Sequence, residues 1–62
     1  MTSDQAELST VATQIEELVG RIADVAERHR GTEHDDVSIR LFEVERSLIS
    51  ASRSLQSAQR AF

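Results

Sequence analysis

A chain of 62 residues with a net charge of −4 has room for one small domain and lacks the concentrated positive charge of a general polyanion binder. The absence of cysteine excludes disulfides and thiolate metal sites. No apolar stretch has the length needed to cross a bilayer and no secretory signal precedes the first predicted helix, so we expect a cytoplasmic protein.

The first predicted element is a helix over about residues 3–30. Thr2 and Gln5 have the spacing of a capping box at its start. Large apolar residues then alternate at intervals of three and four, the pattern of a heptad seam; they are Leu8, Val11, Ile15, Leu18, Ile22 and Val25. Ala12, Val19 and Ala26 lie on one flank and widen this seam toward the broader face of a bundle helix.

The second predicted element is a tight turn at residues 31–32. Gly31 suits the left-handed position that follows the end of a helix. Thr32 suits the N-cap of the next helix, with Asp35 as the acidic partner of a second capping box. We therefore expect the chain to reverse its direction at this point.

The third predicted element is a helix over about residues 33–61 with a seam of the same spacing. This seam consists of Val37, Leu41, Val44, Leu48, Ala51, Leu55, Ala58 and Phe62. If the chain folds back at Gly31, facing residue numbers add to 62 or 63 in every layer, from His29 with His34, through Val25 with Val37, to Met1 with Phe62. The two predicted helices are thus matched in length.

These patterns predict an all-α fold in which residues 1–62 form one antiparallel two-helix hairpin of the helical coiled-coil type. The expected core is Leu8, Val11, Ile15, Leu18, Ile22, Leu41, Val44, Leu48 and Leu55. One hairpin supplies little core, and apolar residues beside the seam call for a partner surface. We expect a homodimer that forms a four-helix bundle, or docking of another helical protein, through an interface made of Phe42, Ile49, Ile39 and Val19.

Ligand-type side chains cluster only around the turn. His29 and His34 face each other across it, with Glu33, Asp35 and Asp36 nearby, which is the residue chemistry of a divalent-metal site or a pH-sensitive contact. Helix capping and the helix dipole already account for these carboxylates. We therefore predict no metal, no cofactor and no catalytic residue.

The predicted function is that of a small protein interaction, scaffolding or regulatory module without enzymatic activity. A second hypothesis is nucleic-acid binding through a stripe of Arg46, Arg53 and Arg60, which recur every seven residues on the second helix. Rop, a dimeric helical hairpin that binds RNA, is similar in architecture only. Abundant Ala, Val, Asp and Glu with no lysine are typical of a GC-rich bacterial genome.

Overall fold

A computed structural model describes residues 2–62 and contains two helices, α1 over Ser3–His29 and α2 over Asp35–Arg60. The helices pack against each other along their length, and the Cα atoms span 48 × 14 × 9 Å. This confirms the predicted all-α hairpin. The predicted layer of Met1 with Phe62 lies outside the described residues because Met1 is not among them.

The start of α1 is fixed by the predicted capping box. The backbone N–H of Gln5 donates to Thr2 Oγ1 over 3.0 Å, and the backbone N–H of Thr2 donates to Gln5 Oε1 over 2.6 Å. Two of the N–H groups that helix geometry leaves without a partner are therefore satisfied, and Asp4 adds a negative charge in the first turn.

The chain reverses through residues 30–34, and Gly31 has the left-handed backbone conformation predicted for it, with φ +72°. The prediction of Thr32 as the N-cap of α2 is wrong. The cap is His34, which makes no capping bond with its side chain. The Thr32 hydroxyl instead donates to the His29 carbonyl over 2.6 Å and accepts from the His34 N–H over 3.1 Å.

The predicted partnership of Asp35 with Thr32 is wrong for the same reason, since the Thr32 hydroxyl is engaged by the end of α1. Asp35 Oδ1 accepts the backbone N–H of Gly31 over 2.7 Å, and the backbone N–H of Asp35 donates to the Thr32 carbonyl over 3.1 Å. An extra turn of chain therefore separates the helices, and α2 begins at Asp35.

Two rows of side chains face the opposite helix, and each has the three-and-four spacing of a heptad seam. The inner row of α1 consists of the buried or half-buried Gln5, Leu8, Ala12, Ile15, Val19, Ile22, Ala26 and His29. The inner row of α2 consists of Ser38, Leu41, Glu45, Leu48, Ser52, Leu55 and Gln59. At the turn end these rows meet where Ser38 Oγ donates to the Ala26 carbonyl over 2.8 Å.

Of the predicted seam, Leu8, Ile15, Ile22, Leu41, Leu48 and Leu55 are half-buried, whereas Leu18, Val37 and Val44 are exposed. The residues in contact near the turn are Ala26 and Ser38, one position further along both helices than the predicted pair of Val25 and Val37. Because Ala26 and Ser38 both have small side chains, the two helix backbones can approach each other closely at this point.

As a consequence, part of the predicted seam is open to solvent in the hairpin. Leu18 and Val44, which were also predicted core residues, are each 43% exposed, and Val37 is 39% exposed. Within residues 2–62, only Ala26 and Ser38 are fully buried. Among the described residues, 2–62, no helix is both long enough and apolar enough to span a membrane.

Candidate interaction surface

A continuous apolar surface runs along one side of the hairpin, and we call it the apolar face. Its α1 row consists of Val11, Leu18 and Val25, and its α2 row consists of Val37, Val44, Ala51 and Ala58. Beneath these rows lie the large members of the inner rows, from Leu8 to Leu55. Every position in both outer rows is half-buried or exposed.

Helix geometry places both outer rows on the same side of the molecule. Each residue of an outer row comes one position before a residue of the inner row; Leu18 precedes Val19, for example, and Val37 precedes Ser38. One position along an α-helix corresponds to a rotation of about 100° about the helix axis. Because the helices are antiparallel, a backward step of one residue turns α1 and α2 toward the same side. The two rows therefore form one surface.

The helix pair is packed off the centre of its own apolar stripes. In α2, every second member of the inner row is polar, and these residues are Ser38, Glu45, Ser52 and Gln59. The row on the apolar face, by contrast, has valine or alanine at every seventh position. The contact between α1 and α2 thus covers only one half of each apolar stripe and leaves the other half to the apolar face.

A shallow groove on the opposite side of the hairpin is mixed in character, and we call this side the groove face. Its lining residues are Glu16, Val19, Ile49, Ser52, Arg53 and Gln56. Two of the four predicted interface residues, Val19 and Ile49, therefore lie together. Both are half-buried, which gives this side less open apolar surface than the apolar face.

The other two predicted interface residues, Ile39 and Phe42, are three positions apart on α2 and are therefore neighbours on its surface. Phe42 is half-buried two turns before Ile49. Ile39 is 56% exposed and lines a separate depression with Asp36, Arg40 and Glu43 on the outside of α2. The assignment of these four residues to an interface stays a prediction.

The arginine stripe lies along the outside of α2. Arg46, Arg53 and Arg60 are all exposed, and they share a heptad row with Ile39. The ion pairs formed within residues 2–62 involve Arg30 with Glu27 and His34 with Glu33, and none involves the stripe. Its guanidinium groups are consequently free of carboxylate partners among the described residues.

The histidines that were predicted to face each other are neighbours. The His29 and His34 rings are 5.7 Å apart between centroids and nearly perpendicular, an edge-to-face arrangement. Glu33 Oε1 lies 3.7 Å from His34 Nε2. Across residues 2–62, no three His, Cys, Asp or Glu side chains converge in a way that could hold a metal ion.

Comparisons with protein-family models, curated proteins and solved structures gave no match. Functional assignment consequently depends on the geometry of the hairpin. The feature that sequence reasoning missed is the division of each apolar stripe into an inner half and an open half. The polar residues at every seventh position of α2, from Ser38 to Gln59, are the signal that marks the inner row.

Proposed function

We propose that this chain is a helical protein-interaction module that acts as a homodimer, in which two hairpins form a four-helix bundle and serve a scaffolding or regulatory role. We propose that the module has no catalytic activity. A cytoplasmic location remains a prediction from the sequence.

The observation that carries this proposal is how little apolar surface one hairpin buries. Ala26 is the only fully buried apolar residue within residues 2–62. The accessible surface is 4669 Å², whereas a compact monomer of 6.9 kDa is expected to expose about 4,000 Å². A chain of this size with so small a core gains stability from association.

The surface depressions support an interaction role more than an enzymatic one. The groove on the groove face and the depression beside Val44 are shallow and open to solvent. Enzyme sites are usually concave, mostly apolar pockets in which a few polar groups converge on the ligand. The two antiparallel helices instead offer an extended surface for contact with another protein.

Light scattering at several protein concentrations, with circular dichroism recorded on the same samples, tests the proposal. We expect a helical particle with twice the chain mass, and loss of helicity as dilution dissociates it. A fully helical monomer at every concentration would contradict the homodimer.

Nucleic-acid binding is the second candidate. It is favoured because Arg46, Arg53 and Arg60 are exposed and form no ion pair within residues 2–62. It predicts RNA or DNA affinity that falls steeply as salt rises, because each phosphate contact releases counterions. Fluorescence anisotropy with a labelled RNA hairpin measures this. Replacing Arg53 and Arg60 with alanine should abolish that affinity, whereas the interaction proposal predicts no salt-dependent binding to lose.

A further inference from the structure

We infer that the apolar face binds a second copy of this chain in the antiparallel orientation, with α1 against the partner's α1 and α2 against the partner's α2. The turns of the two hairpins then lie at opposite ends of the bundle. This inference rests on the proposed homodimer and specifies which surface forms it. It assigns self-association to the apolar face and leaves the groove face, with Val19 and Ile49, open to solvent.

The apolar face has the area that a stable dimer requires. The Cα atoms of the hairpin span 48 by 14 Å in the plane of the two helices, a rectangle of about 670 Å² to which the side chains add. Standard protein interfaces bury about 800 Å² on each partner. A second hairpin laid over this face would cover an area comparable with that of a standard interface, including Leu18, Val37 and Val44, which are the most open large residues of the two outer rows.

The apolar rows of two copies fit each other when the second hairpin runs in the opposite direction to the first. Leu18 lies near the middle of α1, so it meets the partner's Leu18 at the twofold axis, and Val11 then faces the partner's Val25. Ala26 and Ser38 lie opposite each other across the hairpin, so the same axis crosses α2 near residue 46. Val44 then lies beside the partner's Val44, and Val37 lies between the partner's Ala51 and the partner's Ala58. Large side chains thus meet at the centre of the α2 side, and a large one meets small ones toward its ends.

The charges that flank the apolar face also match in this orientation. Glu7, Gln14, Arg21 and Arg28 form the α1 row beside it, at intervals of seven residues. Reversal places Glu7 beside the partner's Arg28 and Gln14 beside the partner's Arg21. Symmetry forms each pair twice. Neither Glu7 nor Arg28 has an ion-pair partner within residues 2–62 of its own chain.

The alternative dimer through the same face has both turns at one end and places α1 against the partner's α2. Arg40 begins the α2 row that flanks the apolar face, and the rest of that row is Ser47, Ser54 and Ala61. In this orientation the partner's Arg40 lies between Arg21 and Arg28, and Glu7 meets only small residues. Glu43 beside Arg40 offsets part of this charge, but only the antiparallel orientation places Glu7 next to an arginine, so the charges favour that orientation.

Cross-linking of single-cysteine variants tests the inference, because the natural chain has no cysteine. Leu18→Cys places a thiol at the twofold axis, and Ile49→Cys is the matched control in the groove face. Under mild oxidation we expect a disulfide-linked dimer of the Leu18 variant on a denaturing gel. The Ile49 variant should remain a single chain on the gel.

The other outcomes separate this inference from the proposed function. Cross-linking of Ile49→Cys alone would assign the dimer to the groove face and overturn the inference, while the homodimer itself would stand. Absence of cross-linking in both variants, at an unchanged dimer mass in light scattering, would overturn the antiparallel orientation. A natural chain that is a helical monomer at all concentrations would overturn both proposals.

Charge reversal provides a test that does not depend on cysteine chemistry. Glu7→Arg should raise the dimer dissociation constant by about tenfold, since two interchain attractions become repulsions. Adding Arg28→Glu to the same chain should restore the dissociation constant of the natural chain. Glu17→Arg, on the outside of α1, is the matched control and should have little effect. Failure of the second change to rescue the first would contradict the pairing of Glu7 with Arg28.

Discussion

Ser38 joins the two helices at the only fully buried contact among the described residues. The last four carbonyls of a helix have no partner within it, and the Ala26 carbonyl is one of these at the end of α1. The Ser38 hydroxyl on α2 supplies the missing donor over 2.8 Å. One side chain therefore both satisfies the end of α1 and allows α2 to pack closely against it.

Ser38→Ala should lower the free energy of unfolding by about 1–3 kcal/mol, because the buried Ala26 carbonyl loses its donor and cannot reach water. Ser50→Ala is the matched control, since Ser50 is exposed on the outside of α2. We expect urea titration followed by circular dichroism to show a loss for the first variant only. Equal midpoints for the two variants would contradict the role assigned to Ser38.

The two glycines should respond in opposite ways to substitution by alanine. A Cβ atom at either position meets no atom within 4 Å, so the backbone alone decides the result. Gly31→Ala should destabilise by about 1–2 kcal/mol, because φ is +72° there. Gly20→Ala should stabilise by about 1 kcal/mol, because Gly20 lies within α1. Thermal melts at one protein concentration measure both, and a shift in the same direction would refute this explanation.

At the scale of elements, the connection between the helices depends on one carboxylate. Asp35 and Asp36 both add negative charge to the first turn of α2. Only Asp35 also accepts a backbone N–H from the turn, that of Gly31 over 2.7 Å. The effect of this hydrogen bond can thus be separated from the effect of the helix dipole by comparing two neighbouring residues.

Asp35→Ala should therefore lower the free energy of unfolding by about 1 kcal/mol more than Asp36→Ala. Urea titrations of the two variants under identical conditions measure the difference. If both substitutions have the same effect, the contact with Gly31 contributes nothing beyond the charge it brings to the helix end.

The helices and the first capping box could be predicted from the sequence because they depend on local spacing. The inner rows could not be fully predicted, because Val11, Leu18 and Val25 are each followed by an apolar residue, so periodicity alone favours neither neighbour. In the structure Val19 is half-buried and Leu18 is exposed, so Val19 belongs to the inner row.

The turn shows the same limit of local reasoning. Thr32 and Asp35 have the spacing of a capping box, yet the Thr32 hydroxyl bonds the carbonyl of His29 at the end of α1. A competing partner that precedes the turn therefore decides the outcome. Phe42 and Ile49 are conspicuous in the sequence, and both are half-buried in the hairpin, so their role as interface residues stays a prediction.

At the scale of the whole molecule, the hairpin has the geometry of half a bundle. A lone pair of helices gains most by centring its apolar stripes on each other, whereas α1 and α2 turn half of each stripe to the same side. That arrangement leaves Leu18 and Val44 43% exposed while Glu45 and Ser52 occupy inner positions. In the dimer that we propose, a second hairpin over the apolar face would complete the burial of both stripes.

The most direct test of this account is the concentration dependence of the thermal unfolding midpoint, measured by circular dichroism over about two decades of protein concentration. If folding is coupled to association through the apolar face, the Tm of the natural chain should rise by several degrees across this range. Leu18→Asp should lower the Tm at every concentration. A Tm that is independent of concentration, in a fully helical monomer, would contradict the claim that the hairpin is half of its folded unit.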